Sequence, residues 1–304
     1  MRLGTRGSAL ALAQSRLVAE RLERLTGEKV ELVEIVTSGD RSTKPVQQLG
    51  VGVFVSALRD ALVAKEIDFA VHSYKDLPTA PAEGLVIAAI PPREDPRDAL
   101  IARDGLTLTE LPDGATIGTG SLRRLAQIAA LGLNLTGVPI RGNVDTRLRK
   151  VAEGELDGVI LARAGLVRLD RGAEATEILD PMLMLPAPAQ GALAVECSAW
   201  RGDLIELIAT IDDRPTRAAV TAERALLARL EAGCSAPVAA LAEVTEDDEV
   251  YLRGAVISPD GVYALRLSRT GTLDEAGEVG RLLAEELLAE GADTVIESIG
   301  RAQT

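Results

Sequence analysis

The sequence predicts an α/β protein with a smaller α+β unit at its carboxyl end. Three observations carry this reading. Strand-like and helix-like runs alternate through roughly the first 90 residues; the alternation restarts after a charged, proline-bearing connection at residues 93–99; and from about residue 214 the order becomes helix, three strand-like runs, helix. A chain of 304 residues has room for two or three domains of ~100–200 residues each.

Taken in order, residues 8–25 place Leu10, Ala13, Leu17 and Leu22 at helical spacing, with Ser8 as N-cap and Gly27 as stop. KVELVEIVT alternates as a strand, VFVSALRDALVAKE is an amphipathic helix, DFAVHS a second strand, and GLVIAAIPP a buried strand closed by a proline pair. This order is the signature of a mainly parallel sheet with crossover helices. After REDPRDA come the strands ALIAR and ATIGTG, the helix SLRRLAQIAALG, a strand within NLTGVPIRG, the helix NVDTRLRKVAEGE, and GVILARAGLVRL, a strand running into a helix. LMLPAPAQGALAVEC, residues 183–197, turns strand-like and reads as a crossing back to the first domain. RPTRAAVTAERALLARLEAG is a strong helix with Gly233 as its stop. VAALAEV, EVYLRGAVIS and VYALRLSRTG are strands of an antiparallel sheet, and GEVGRLLAEELLAEGA closes as a helix.

Composition excludes several classes. The chain is 47% hydrophobic and 26% charged, as globular proteins are, and its 2% aromatics supply no stacking platform for single-stranded nucleic acid. With 33 basic against 46 acidic residues, the net charge of −13 argues against nucleic acid as a partner. Two cysteines, Cys197 and Cys234, make no disulfide framework, and the single histidine, His72, excludes a His-rich metal site. The first residues show no signal-peptide pattern, and no run approaches the ~18–20 apolar residues that span a membrane. The chain reads as soluble and cytoplasmic, with no membrane partner and reduced thiols.

Local charge says more than the total. Residues 115–150 hold Arg123, Arg124, Arg141, Arg147, Arg149 and Lys150 against one acid, Asp145, a net of +5. Such a run is commonly a solvated helix face. Here, however, Thr119, Ser121 and two glycines follow a strand and open a helix, where backbone N–H groups and the helix dipole favour anions. Arg123 and Arg124 add forked donors suited to carboxylates. The pattern is neither a phosphate loop nor a dinucleotide fingerprint. GTRGS, with Arg6 and Ser8, and DFAVHSYKD, with Ser73, Lys75 and Asp76, place further polar groups at strand exits, where ligands of open α/β sheets bind. The ligand these turns predict is an organic polyanion; the alternative is helix caps that bind nothing. Asp76 is either a cap or partner for Lys75, or a group that stabilises a developing cation or carries a proton. Cys234, in a loop after the helix stop, is either a small packed residue or a reachable thiol for covalent attachment. Cys197 reads as core, and His72 as a packed strand-end residue.

The strings RLGTRGSALA, VHSYKDLP, REDPRDA, IGTGSLRR, IRGNVDTRL, LPAPAQGAL and AERALLARLEAGCSAPV, in this order over nearly the whole chain, resemble the porphobilinogen deaminase (hydroxymethylbilane synthase) family. The resemblance implies two αβ domains like those of periplasmic binding proteins, facing a cleft, and a small α+β domain that presents a cysteine. The boundaries it implies are 1–92 with 190–212, 93–189, and 213–304. It implies a monomeric transferase that joins four porphobilinogen molecules head to tail, with loss of ammonia, onto a dipyrromethane cofactor attached covalently at Cys234, and releases a linear tetrapyrrole by hydrolysis. Motif by motif, it implies Asp76 as the catalytic carboxylate. Cofactor contacts fall to Asp76, Lys75, Thr119, Ser121, Arg123 and Arg124. Substrate contacts fall to Arg6, Ser8, Ser73, Arg141, Arg147, Arg168, Gln190 and Gly191, with no metal. LGVGVFVSALRD departs from the family's pattern: Val51 and Ser56 stand where the family carries lysines near a loop at about 40–52. A solute-binding module closing on an organic anion would look alike, but needs no thiol and usually an export signal; a regulatory sensor would need a DNA-binding helix pair, and none is recognisable.

Overall fold

The computed structural model describes residues 1–36, 55–230 and 237–296. In chain order the strands and helices are β1 (Arg2–Thr5), α1 (Ala9–Thr26), β2 (Glu31–Glu34), α2 (Ser56–Val63), β3 (Phe69–Ser73), β4 (Leu85–Ala89), β5 (Asp98–Ala102), β6 (Thr116–Gly118), α3 (Leu122–Ala130), β7 (Thr136–Val138), α4 (Val144–Ala152), β8 (Gly158–Ala162), α5 (Arg163–Arg168), β9 (Glu177–Ile178), β10 (Leu193–Ser198), α6 (Gly202–Ala209), α7 (Arg214–Arg229), β11 (Val238–Val244), β12 (Glu249–Ile257), β13 (Ala264–Thr272) and α8 (Ala276–Ala289). They fall into two compact units. The first is Met1–Glu94 with Gly191–Arg217; the second is Asp95–Gln190 with Ala218–Thr304.

In the first unit α1 starts and stops as its sequence dictates. Ser8 Oγ accepts the Ala11 N–H, and Gly27, in the left-handed region at φ 73°, donates its N–H to Glu23 O. Its buried face differs from the expected leucine stripe: Gln14, Ser15, Val18, Ala19 and Leu22 face inward, while Leu17 is exposed. The polar pair goes inward because it finds partners there. Ser15 Oγ donates to Thr5 Oγ1 at 2.8 Å, and Gln14 exchanges hydrogen bonds with Ser73 Oγ at 3.0 and 3.1 Å. The sheet order is β2-β1-β3-β10-β4. β2, β1 and β3 run parallel, and β10 enters between β3 and β4, antiparallel to both. The expected return of residues 183–197 to the first sheet thus ends in its interior, and the sheet is mixed, with one reversed strand.

The second unit repeats this plan. Its sheet order is β7-β6-β8-β5-β9, with β6 parallel to β7 and β8, and the incoming strand β5 antiparallel to β8 and β9. A three-stranded antiparallel sheet, β11-β12-β13, follows in the same unit. One of its faces packs on α7 and α8 through Leu226, Leu252, Val256, Leu283 and Leu287. The other presents Ala239, Leu241, Ala255 and Ile257 to Ala126 of α3 and to Leu185. Small residues let the layers approach. A Cβ on Gly280 of α8 would lie 2.8 Å from Ala225 Cβ and would overlap Ala222 O of α7.

Gly280→Ala is therefore expected to destabilise the protein by about 1–3 kcal/mol, because α7 and α8 must move apart. A lowered urea midpoint with an unchanged m-value would show it; an unchanged midpoint would show that the helices yield freely.

A candidate anion-binding site

In the second unit the polar turns gather at the carboxyl ends of β6, β7 and β8. Thr119, fully buried, follows β6 and donates its N–H to Val138 O at 2.9 Å. Ser121 caps α3: its Oγ accepts the Arg124 N–H, and its own N–H donates to Thr119 Oγ1 at 3.2 Å. Gly120, between them, has to be glycine, since a Cβ would sit 2.9 Å from Ile140 O and 4.0 Å from Arg147 Nη2. This close approach brings the β7–α4 turn, with Arg141 and Arg147, over the start of α3. Asn143 caps α4 by accepting the Thr146 N–H, and Arg147 Nε donates to Gly142 O at 2.9 Å.

Arg123 and Arg124 are not a solvated face. They are 4% and 6% exposed, and both reach Asp98, the wholly buried first residue of β5. Arg123 Nη2 donates to Asp98 Oδ2 at 2.6 Å, and Arg124 Nη2 to Oδ1 at 2.7 Å. Their Nη1 groups donate to Leu185 O and Ile160 O. Gln190 Nε2 completes the cluster with bonds of 2.7 Å to Asp98 Oδ1 and to Pro96 O. Burial pushes the Asp98 carboxyl up, but the two guanidiniums and their hydrogen bonds outweigh it and hold the group well below the usual carboxylate range.

Positive charge remains in excess. Arg147 is pushed down to about 10 by burial and by the charges of Arg124 and Arg141. Arg123 Nε, Arg124 Nε and Arg141 Nη1 are buried donors with no hydrogen-bond partner among the described residues. A group bearing several carboxylates fits such a set, since it supplies acceptors and negative charge together. Of the other expected cations, Arg168 is half-buried in the last turn of α5. Arg149 is exposed, and Lys150 pairs with Glu155.

In the first unit the polar groups lie at the carboxyl ends of the parallel neighbours β1 and β3. Arg6 and Ser8 form the β1–α1 turn; Ser73 ends β3, and Lys75 and Asp76 stand in the 3₁₀ turn after it. Asp76 is exposed and Lys75 half-buried. Gly191, at φ 87°, precedes β10 at this same end, and the Tyr74 N–H donates to Ala192 O at 3.0 Å. His72 is packed as expected, its Nε2 3.1 Å from Glu196 Oε2, and Arg59 grips the same carboxylate from α2. Burial pushes Glu196 up, and the bonds and charges of His72 and Arg59 more than offset it, leaving the carboxyl low. Ser56 is the exposed first residue of α2. Cys234 and Gly233, with Val51 and the loop at 40–52, lie outside the described residues. Among the described residues, no group of His, Cys, Asp and Glu is arranged to hold a metal ion, and no helix is long and apolar enough to cross a membrane.

The motifs passed over Asp98, Glu196, Arg59, Gln14 and Glu223. A signal existed for two of them. Asp98 opens the apolar run ALIA and Glu196 stands inside LAVEC, and an ionised group in a buried strand needs a cationic partner.

Two α/β units with polar, cation-bearing turns at their strand ends, one of them over-supplied with buried guanidinium, define a protein that handles organic polyanions. The comparisons give the particular case. The family model for the porphobilinogen deaminase dipyromethane cofactor binding domain matches residues 1–206, and that for the porphobilinogen deaminase C-terminal domain matches 217–289. A porphobilinogen deaminase of Nocardia farcinica is 57% identical over 311 residues, covering 100% of this chain and 90% of the relative. One of Mycobacteroides abscessus is 56% identical over 304 residues, covering 97% and 99%. Among solved structures, a nutrient binding protein from Burkholderia cenocepacia bound to methionine aligns with a TM-score of 0.44 and 11% identity, over 68% of this chain and 89% of that one. The chain belongs to the porphobilinogen deaminase family. It is an enzyme of tetrapyrrole biosynthesis that polymerises porphobilinogen and uses a dipyrromethane cofactor.

Cys197 is packed in the first sheet. It is wholly buried in β10, and burial pushes its thiol up to about 11. At pH 8 only about one thiol in 10³ would ionise at that value. Native protein treated with a disulfide reagent at pH 8 is expected to leave Cys197 unmodified until urea is added; rapid native labelling at this position would contradict the burial.

Proposed function

We propose that the chain joins four porphobilinogen molecules head to tail onto a dipyrromethane primer held through a thioether at Cys234, and releases hydroxymethylbilane by hydrolysis. The proposed organisation is residues 1–92 with 190–212 as one αβ domain, 93–189 as the second, and 213–304 as the domain that carries Cys234. The protein acts as a cytoplasmic monomer, with no nucleic acid or membrane partner. The observation that carries this reading is the surplus of buried guanidinium around Arg124, Arg141 and Arg147, which favours a ligand rich in carboxylates.

When bound, the primer supplies a nucleophilic pyrrole carbon; the protein's own residues do the rest. Arg123 and Arg124, with Thr119, Ser121 and Lys75, hold primer carboxylates. Charge-assisted contacts of this kind are worth about 1.5–3 kcal/mol each. Arg141, Arg147 and Arg168 take the carboxylates of incoming and added units, and Arg6, Ser8, Ser73 and Gly191 orient substrate at the ends of β1, β3 and β10. In each addition the substrate's aminomethyl C–N bond breaks and the electron pair leaves with ammonia. The substrate pyrrole is left cationic at its methylene carbon; a bound primer would supply the nucleophilic ring carbon for the new C–C bond, and that ring carbon would give up its proton to restore the pyrrole. Asp76 acts in this step. Its carboxylate accepts pyrrole N–H bonds and stabilises the positive charge as it develops.

Intact mass spectrometry tests the reading directly. Protein from cells is expected to exceed its polypeptide mass by one dipyrromethane. Cys234→Ser should lose this increment and all turnover, while Cys197→Ser keeps both. An active preparation at the bare polypeptide mass would refute the reading, and the reverse pattern would move the attachment to Cys197. Asp76→Asn keeps the shape and removes the charge. It should lower kcat by about 10²–10⁴-fold, with KM changed less than about threefold; near-normal turnover would take Asp76 out of the chemistry.

A further inference from the structure

Asp98 is a carboxylate for which strand β5 has no use. The four residues after it in the strand are Ala, Leu, Ile and Ala, all buried, and Asp98 itself is 0% exposed. Three donors converge on it: Arg123 Nη2 at 2.6 Å, and Arg124 Nη2 and Gln190 Nε2 at 2.7 Å. Consecutive residues on a helix project about 100° apart, so Arg123 and Arg124 meet only because one carboxylate offers an oxygen to each. Their second anchors, Leu185 O and Ile160 O, fix each guanidinium at two points. A planar fork held at two points has a fixed plane, and in each fork the Nε–H is buried without a partner among the described residues. The arginine pair is thus set in place before any ligand arrives, with one negative charge between two positive ones.

The same carboxylate governs a junction. Gln190 is the last residue of its stretch of the second unit, between Ala189 at φ 60° and Gly191 at φ 87°, and its side chain ends on Asp98. Asp98 lies three residues beyond Asp95, where the chain first enters that unit. The start and end of this stretch of the second unit are therefore linked through one carboxyl group. Glu223, wholly buried in α7, accepts the Ala189 N–H on one oxygen and the Ala242 N–H on the other, which ties the same junction to β11.

We propose that Asp98 is the positioning residue for cofactor capture: it sets the Arg123 and Arg124 forks for primer carboxylates and, with Gln190 as a third donor, holds the carboxylate between them. This rests on the reading of Arg123 and Arg124 as cofactor contacts. Asp98 touches neither primer nor substrate, so its loss acts on capture and leaves substrate affinity alone.

The test compares Asp98→Asn with Asp98→Glu, each expressed as the full chain, and reads the fraction carrying dipyrromethane by intact mass. Asparagine turns an N–H₂ group toward guanidiniums that need an acceptor. Its loaded fraction is expected at least tenfold below wild type, while KM for porphobilinogen, measured on the molecules that did load, stays within twofold. Glutamate keeps the charge and should restore loading at least threefold over asparagine. Wild-type loading in Asp98→Asn, no recovery in Asp98→Glu, or a KM that rises as loading falls would each overturn the proposal. If Asp98→Asn is recovered only as aggregate, Gln190→Leu, which leaves all three charges in place, decides the matter: loading reduced at least threefold supports the proposal, and unchanged loading overturns it. Wild-type protein without dipyrromethane would instead overturn the functional reading itself.

Discussion

Burying a carboxylate between two guanidiniums takes three ions out of water, at a cost of several kcal/mol each. At Asp98 that cost is offset by short charge-assisted bonds, and by backbone carbonyls that each accept one further bond, from Nη1 of Arg123 and of Arg124. Such a cluster has one good geometry, since losing one partner strands the others at about 3–5 kcal/mol. It therefore fixes where β5 begins, how α3 is rotated, and where Leu185 lies. Gln127, one turn further along α3, adds to the last of these: its amide bonds both the N–H and the carbonyl of Leu185, at 2.8 and 3.0 Å.

From there rigidity passes to the carboxyl-terminal sheet. Leu185 and Ala126 pack on Ala239, Leu241, Ala255 and Ile257, so the helix that opens the anion site also carries one face of that sheet. Gly261, in the left-handed turn between β12 and β13, approaches the backbone of Ala129 and Ala130 at the other end of α3. The segment 231–236, which contains Cys234, begins after the buried Leu230 and ends before the buried Val238. Its attachment points thus belong to the same packed body as Arg123 and Arg124.

Local signals were legible in the sequence, and non-local pairings were not. Ser8 caps α1, Gly27 stops it and Ser121 opens α3, because caps and stops depend on a few neighbouring residues. The alternation of runs gave the two α/β sheets and the later antiparallel one for the same reason. What stayed hidden was the entry of β10 between β3 and β4, since a strand's place in a sheet is settled by residues more than 100 positions away. The stripe of α1 misled because hydrophobicity ranks Leu17 above Gln14, whereas Ser73 and Thr5 offer polar partners only on the inner face. Arg123 and Arg124 stood out as forks for carboxylates. Their first carboxylate lay unnoticed in REDPRDA, where Asp98 read as part of a charged connection.

The two sheets share a plan but differ in charge, and the difference divides the labour. Each reversed strand brings one buried acid, Asp98 on β5 and Glu196 on β10. Glu196 meets one arginine, Arg59, and the imidazole of His72, so the pair is close to neutral before any proton on the ring is counted. Asp98 meets two arginines, with Arg124 acting in turn on Arg147 alongside Arg141, so the acid on β5 leaves positive charge over among the described residues of this cluster. In a low-dielectric setting that remainder acts more strongly than it would in water. The second unit is suited to holding carboxylates. In the first, the buried acid on β10 is matched by Arg59, and the exposed carboxylate of Asp76 stands in the turn after β3.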